Sequence, residues 1–333
     1  MESVIYGDKL KVKEEVKNLK YLLFNAANEL GNNKGINLYD DKSNYKYIGY
    51  ADFYEEARKM AQKLAKAGIK KGDNVIFQLE DNENFIKAFW GCILIDAVPI
   101  PLTVSKAINE ENDAVKKLIN VCDILKGSFI ITENIKLRFY LMKNEIVPLE
   151  LIKDINEIKN YECKDVNIDM DISNEEIAYI QFSSGSTSMP KGVLISDKNL
   201  LSNIYQIIQA LKLDENHVFG SWITLTHNLG LIGFHLLPMA CKCSQVLMST
   251  MLFMKDPAFY IKMLSEYKVV MTSMPNFAVN WVNEKVVESE IKGLDLSNLK
   301  IIINGAEPIS LDVVEKFNNK FKNFGLDSNS MNA

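Results

Sequence analysis

The sequence predicts an α/β fold of mostly parallel β-sheets flanked by helices, arranged as two packed subdomains over approximately residues 1–170 and 171–333. Three observations predict it. Short β-branched or aromatic runs alternate with stretches of helical period, several of those runs open directly into glycine or proline loops, and a polar, charged stretch from Lys136 to Glu175 divides the alternation in two. At 333 residues and 47% hydrophobic composition, the chain has enough apolar surface for a large core.

The first element is a hairpin over residues 36–50, where two β-prone runs flank the polar turn Asp40-Asp-Lys-Ser-Asn44. A helix follows from Asp52 to Ala67, with Phe53, Ala57, Met60, Ala61 and Leu64 on one face and Gly68 placed to end it. Asn74–Leu79 reads as a strand, Phe85–Ala97 as a largely apolar helix and Val98–Leu102 as an extended exit. The stripe Phe85, Phe89, Trp90 reads as core between helix and sheet, and Phe129–Thr132 as the next strand.

The stretch Ile177–Val193 carries the chemistry. An apolar run ends in Ser183-Ser184-Gly185-Ser186-Thr187-Ser188-Met189-Pro190-Lys191-Gly192. Glycine lets backbone approach a ligand, successive N–H groups and hydroxyls face phosphate oxygens, and Lys191 adds a full positive charge. Pro190 keeps Met189 out of helical angles, so the segment stays a loop. A bare Ser/Gly segment also serves as a flexible linker, but this one follows a strand-like run and closes on Pro-Lys-Gly-Val. The common phosphoryl-transfer P-loop needs Gly before the lysine and Ser or Thr after it; Pro190 and Gly192 stand there instead.

Beyond it, Ser196 or Asp197 caps a helix with Leu200, Ile204, Ile207, Ile208 and Leu211 on one face. Trp222–Thr226 reads as a strand-like run reaching His227-Asn228-Leu229-Gly230, where the glycines at 230 and 233 permit a ligand to approach; a histidine among apolar residues is also commonly structural. Val269–Ser273 runs into the turn Met274-Pro-Asn-Phe277. Leu299–Ile303 opens into Asn304-Gly305-Ala306-Glu307-Pro308 before a helix on Val314, Phe317 and Phe321.

Composition excludes some functions. With 38 basic against 43 acidic side chains and a formal charge of −5, no global positive field draws nucleic acid. The longest apolar runs fall short of a membrane span, and the start lacks a secretory pattern, which predicts a cytoplasmic protein. Five unpatterned cysteines predict reduced thiols; Cys241-Lys-Cys243 near His235 has too few evident partners for a metal site.

Taken in order, the Ser183–Gly192 loop, the His227-Asn-Leu-Gly-Leu-Ile-Gly segment, the Met274–Phe277 turn and the Asn304–Pro308 loop resemble the adenylate-forming (AMP-binding) superfamily. They look most like fatty acyl-AMP ligases and the acyl-loading domains of polyketide and peptide synthetases. The resemblance runs from about Ile36 to the end of the chain and implies the large N-terminal domain of such an enzyme. It further implies that a carboxylic acid is activated with ATP and Mg2+ to an acyl-adenylate, then passed to an acyl carrier protein or carrier domain.

On that resemblance, Lys191 and the loop Ser183, Ser184, Gly185, Ser186, Thr187, Ser188 and Gly192 hold the phosphates, and Gly305 and Ala306 lie against adenine. Asn304 and Glu307 add polar contacts, while His227, Asn228, Gly230 and Phe277 face the fatty acid, with Lys191 and His227 in catalytic roles. Asn228 stands where fatty acyl-AMP ligases usually carry aspartate, a pattern also found in aryl-acid-activating relatives. The chain stops short of where the family places its magnesium-binding glutamate, its ribose-binding aspartate and the small C-terminal domain. An acyl-CoA synthetase, an aryl-acid enzyme, or a nucleotide- or acyl-binding module without turnover are the alternative readings.

Overall fold

The computed structural model describes residues 16–105, 107–109, 111–163, 165–171, 173, 175–183 and 190–332. Its strands are β1 (Gly35–Tyr39), β2 (Tyr45–Gly49), β3 (Asn74–Gln78), β4 (Val98–Pro101), β5 (Phe129–Thr132), β6 (Ile152–Asp154), β7 (Ile177–Ser183), β8 (Lys191–Ser196), β9 (Val218–Ser221), β10 (Ser244–Met248), β11 (Met271–Ser273), β12 (Ile301–Ile303) and β13 (Met331–Asn332). They form a seven-stranded sheet ordered β13-β12-β11-β9-β10-β1-β2, a four-stranded sheet ordered β4-β3-β5-β6 and the hairpin β7-β8. Both larger sheets are parallel except for β2, which pairs antiparallel with β1.

The sheets do not divide at residue 170. The predicted hairpin forms, but β1 pairs with β10 (Ile36 with Gln245 through Tyr39 with Met248), so the first strands belong to the later sheet. Local pattern specifies a hairpin and is silent about a partner some 200 residues away. The polar stretch taken as a boundary instead contains the helix Ile135–Lys143 and strand β6, which completes the smaller sheet beside β5.

Helical periodicity performs better. The helix Tyr50–Lys66 buries Phe53, Ala57, Met60, Ala61 and Leu64, and Gly68 follows it at φ +98°. It crosses the helix Asn82–Leu94 closely at Gly91, where a Cβ would come within 2.9 Å of Leu64 Cδ1 and Met60 Cγ. That second helix starts earlier than its apolar run because Asp81 accepts from the Asn84 N–H at 2.7 Å. Phe85, Phe89 and Trp90 are core, each at most 1% exposed. Ser196 caps the helix Asp197–Leu211, exchanging bonds with Asn199. Among the described residues, no helix is long and apolar enough to cross a membrane.

Candidate active site

A cleft of about 430 Å³ opens at the C-terminal ends of β9, β11 and β12, the edge of a parallel sheet where ligands collect. Trp222, Thr224, His227, Leu229 and Thr250 form one wall; Ser273, Pro275, Phe277, Ile303, Gly305, Ala306 and Glu307 form the other. Strand β9 ends at Ser221, earlier than the Trp222–Thr226 run predicts, because the chain there turns away from the sheet. The Ser221 hydroxyl accepts the Ile223 N–H, and the Trp222 carbonyl accepts from Thr250 Oγ1 at 2.8 Å. The Trp222 indole N–H donates to the Ser273 carbonyl and its ring stacks on Phe253 at 4.0 Å, which fixes the cleft floor.

His227 sits at the exposed rim, and the segment after it is a π-helix, Leu229–Leu236, rather than the open loop its glycines suggest. Gly230 has a steric reason: a Cβ there would lie 2.2 Å from the Thr224 carbonyl oxygen. His227 Nδ1 accepts the Leu229 N–H at 3.1 Å, so in the neutral ring the proton resides on Nε2, which is left to donate into the cleft. Asn228 is exposed beside it.

The facing loop is tied to the helix Asn276–Lys285. Glu307 accepts the Phe277 N–H at 2.7 Å, and Asn276 Oδ1 accepts the Ser310 N–H at 3.0 Å. Gly305 leaves open space where a Cβ would stand, and Ala306 takes the left-handed φ of +68°, so the backbone presents an uncovered surface to the cleft. Asn304 is placed differently. It is 1% exposed, and its side-chain amide donates to Met331 Sδ at 3.5 Å, beneath the loop.

Ser183 and Lys191 face each other as the last described pair of the β7-β8 hairpin, with Lys191 exposed. Gly192 lies against Phe182, whose ring carbon is 2.9 Å from a notional Cβ. Ser184, Gly185, Ser186, Thr187 and Ser188 lie outside the described residues. The hairpin reaches the histidine turn through Gln181, whose side-chain amide donates to the Thr226 carbonyl at 3.5 Å.

The structure thus gathers His227, Phe277, Gly305, Ala306 and Glu307 around one cleft, with Leu229 beside them. Leu231, Phe234 and Met274, expected to offer apolar channel surface, are each 0% exposed and belong to the core. Sequence reasoning missed Thr224, Thr250 and Ser273. Thr250 begins a helix after β10 and carries no motif; only the sheet order brings it here. Thr224 and Thr250 also border a second cavity of about 470 Å³ containing Asp40, Asp81 and Glu133. Burial, and then the neighbouring Asp81, pushes the Asp40 carboxyl up to about 6.

The sequence profile of the AMP-binding enzyme family matches residues 26–327. The medium-chain fatty acid acyl-carrier-protein ligase JamA of Moorena producens is 27% identical over 286 residues, covering 84% of this chain and 47% of that protein. The long-chain fatty acid AMP ligase FadD26 of Mycobacterium marinum is 25% identical over 286 residues, covering 84% and 48%. Among solved structures, McyG A-PCP complexed with phenylalanyl-adenylate matches with a TM-score of 0.89 at 26% identity, over 96% of this chain and 57% of that one. Fatty acyl-adenylate ligases from E. coli and L. pneumophila match at 0.84 and 26%, over 95% and 56%. The chain spans about half the length of the curated relatives it matches. With the profile extending across nearly all the described residues, and the same fold in structures of adenylating domains, the chain belongs to the AMP-binding enzyme family.

Proposed function

We propose that this chain forms the nucleotide- and acid-binding part of an enzyme that activates a fatty acid as its acyl-adenylate and passes it to a carrier-protein thiol. One observation carries the reading: segments some 80 residues apart, His227–Leu229 and Gly305–Glu307, face each other across one cleft at the C-terminal edge of a parallel sheet.

In this reading the acid's carboxylate oxygen attacks the α-phosphorus of ATP, an O–P bond forms, the bond to the β-phosphate oxygen breaks, and pyrophosphate leaves. Bringing two anions together makes positioning and charge stabilisation the main task. Lys191 and the hydroxyls and N–H groups from Ser183 to Ser188 neutralise the departing phosphates. His227 donates from Nε2 to the acid, its tautomer set by the Leu229 N–H. Adenine rests on the uncovered backbone of Gly305 and Ala306, where the absent Cβ and the left-handed turn suit a flat ring. Glu307 is a polar contact at the edge of that site, and Phe277 with Leu229, Trp222 and Ile303 gives the acid an apolar surface. ATP, when bound, supplies the adenylyl group and a good leaving group. Among the described residues, no three His, Cys, Asp or Glu side chains converge as metal ligands, so none is assigned to Mg2+.

The test is acid-dependent pyrophosphate release from ATP, with fatty acids of several lengths, an amino acid and an aryl acid offered in competition. Fatty acids are expected to win, and Lys191→Ala to lower the rate by about 10²-fold, the scale of losing one preorganised contact to developing charge. Preference for an amino or aryl acid would overturn the substrate class. Binding of ATP and acid with no pyrophosphate formed would favour a binding module.

A further inference from the structure

The π-helix that begins at the cleft rim ends in a buried hydrogen-bond network that spans both large sheets. His235 is 0% exposed. The Trp90 indole N–H, which can only donate, reaches His235 Nε2 at 2.8 Å. His235 Nδ1 lies 2.8 Å from Gln245 Oε1, so Nδ1 must carry the proton. Gln245 Nε2 donates to the Tyr50 hydroxyl at 3.0 Å, and that hydroxyl donates to the Cys243 carbonyl at 2.7 Å. Every link has one possible direction. Trp90 belongs to the helix packed on the four-stranded sheet, whereas Gln245 lies on β10 of the seven-stranded sheet.

We propose that His235 is a positioning residue for the acid-facing wall of the cleft, holding the Leu229–Leu236 segment in π geometry so that His227 and Leu229 keep their places at the rim. The proposal rests on the reading of this cleft as the acid site. An eight-residue π-helix is long for a conformation that usually appears as a single-turn bulge, and it must be held by its surroundings. Relaxation to α geometry changes the angle at every residue, and the differences add over the segment. If its far end stayed buried, the His227 end would swing. Burial also holds the His235 ring well below its ordinary value, at about 4, so it stays neutral and keeps its directional bonds at neutral pH.

The structure assigns opposite tautomers to these two histidines, Nε2–H for His227 and Nδ1–H for His235. The chain has only 3 histidines, so two-bond nitrogen–proton NMR correlations of the 333-residue protein resolve each one. The wild type should show those two tautomers. In His235→Leu the His227 ring should lose its preference for Nε2–H. His235→Gln, whose amide can both accept from Trp90 and donate to Gln245, should restore it. Dodecanoyl-sulfamoyl adenosine, a mimic of the acyl-adenylate, should bind His235→Leu about tenfold more weakly than wild type, the scale of one lost hydrogen bond, and His235→Gln within about twofold.

An Nε2–H tautomer at His235 in the wild type would overturn the network and the proposal with it. So would a folded His235→Leu protein, less heat-stable but with an unchanged His227 signal and unchanged mimic binding; should that variant not fold, the comparison of His235→Gln with Gln245→Leu gives the same decision. A wild-type protein that shows both tautomers and the expected His227 response, yet ignores the mimic, would sustain the positioning role and defeat the acyl-adenylate reading.

Discussion

Replacing Asp197 by asparagine should stabilise this protein at pH 8 and do almost nothing at pH 4. Asp197 opens the helix Asp197–Leu211 and is 3% exposed, with Oδ1 accepting the Leu19 N–H at 3.1 Å. Burial raises its carboxyl from 3.8 to about 6, against the opposing pull of that N–H and of Lys20. Lys20 itself is fully buried and is already paired with Asp96 at 2.6 Å. A carboxyl raised on folding favours the folded state while the proton is held. That advantage is complete below the unfolded value and is lost as pH rises through about 6, where the ionised side chain costs the fold about 3 kcal/mol. Asparagine keeps the acceptor for Leu19 and removes the charge. It forgoes about 0.5–1 kcal/mol of attraction to the helix N-terminus, leaving a gain of about 2 kcal/mol at pH 8. Urea unfolding of both proteins at pH 8 and pH 4, followed by tryptophan fluorescence, measures it. A variant less stable than the parent at pH 8 would show that attraction to Lys20 outweighs desolvation, and an equal gain at both pH values would show that the charge is irrelevant.

Two further outcomes follow from geometry. Gly230→Ala places a Cβ 2.2 Å from a backbone oxygen that cannot swing aside, so it should cost about 1–3 kcal/mol and weaken binding of the adenylate mimic; wild-type behaviour in both assays would remove the steric reason for this glycine. Of the five cysteines only Cys163 is exposed, while burial pushes the Cys122 thiol up to about 12 and raises Cys92 further. Ellman's reagent should therefore titrate one thiol promptly in the native protein and the others only on unfolding, and two or more prompt thiols would contradict the packing.

Period and turn chemistry are local, and the residues that encode them behave as their sequence says. The apolar face of Tyr50–Lys66, the Ser196 cap, the hairpin at residues 35–49 and the strand before Asn304 were all legible, because each depends on neighbours within a few positions. The order of the His227, Phe277 and Gly305 segments was enough to suggest the family. Three-dimensional pairing was needed for everything that depends on partners far along the chain. Gly35–Tyr39 joins β10 because parallel pairing buries both faces of those strands, an energy invisible to a local pattern. Leu231, Phe234 and Met274 are apolar whether they face a ligand or the core, and only packing sends them inward. His235 was the hardest to read. A histidine beside two cysteines suggests a metal as readily as a hydrogen bond, and the choice rests on Trp90 and Gln245 arriving at 2.8 Å on opposite sides of its ring. The sequence by itself determined which segments become helices and strands and which loops carry chemistry, because those depend on short-range backbone and side-chain preferences. The tertiary structure decided which of those loops share a cleft and which polar side chains are partnered, because burial and hydrogen bonding are settled between residues that the sequence keeps apart.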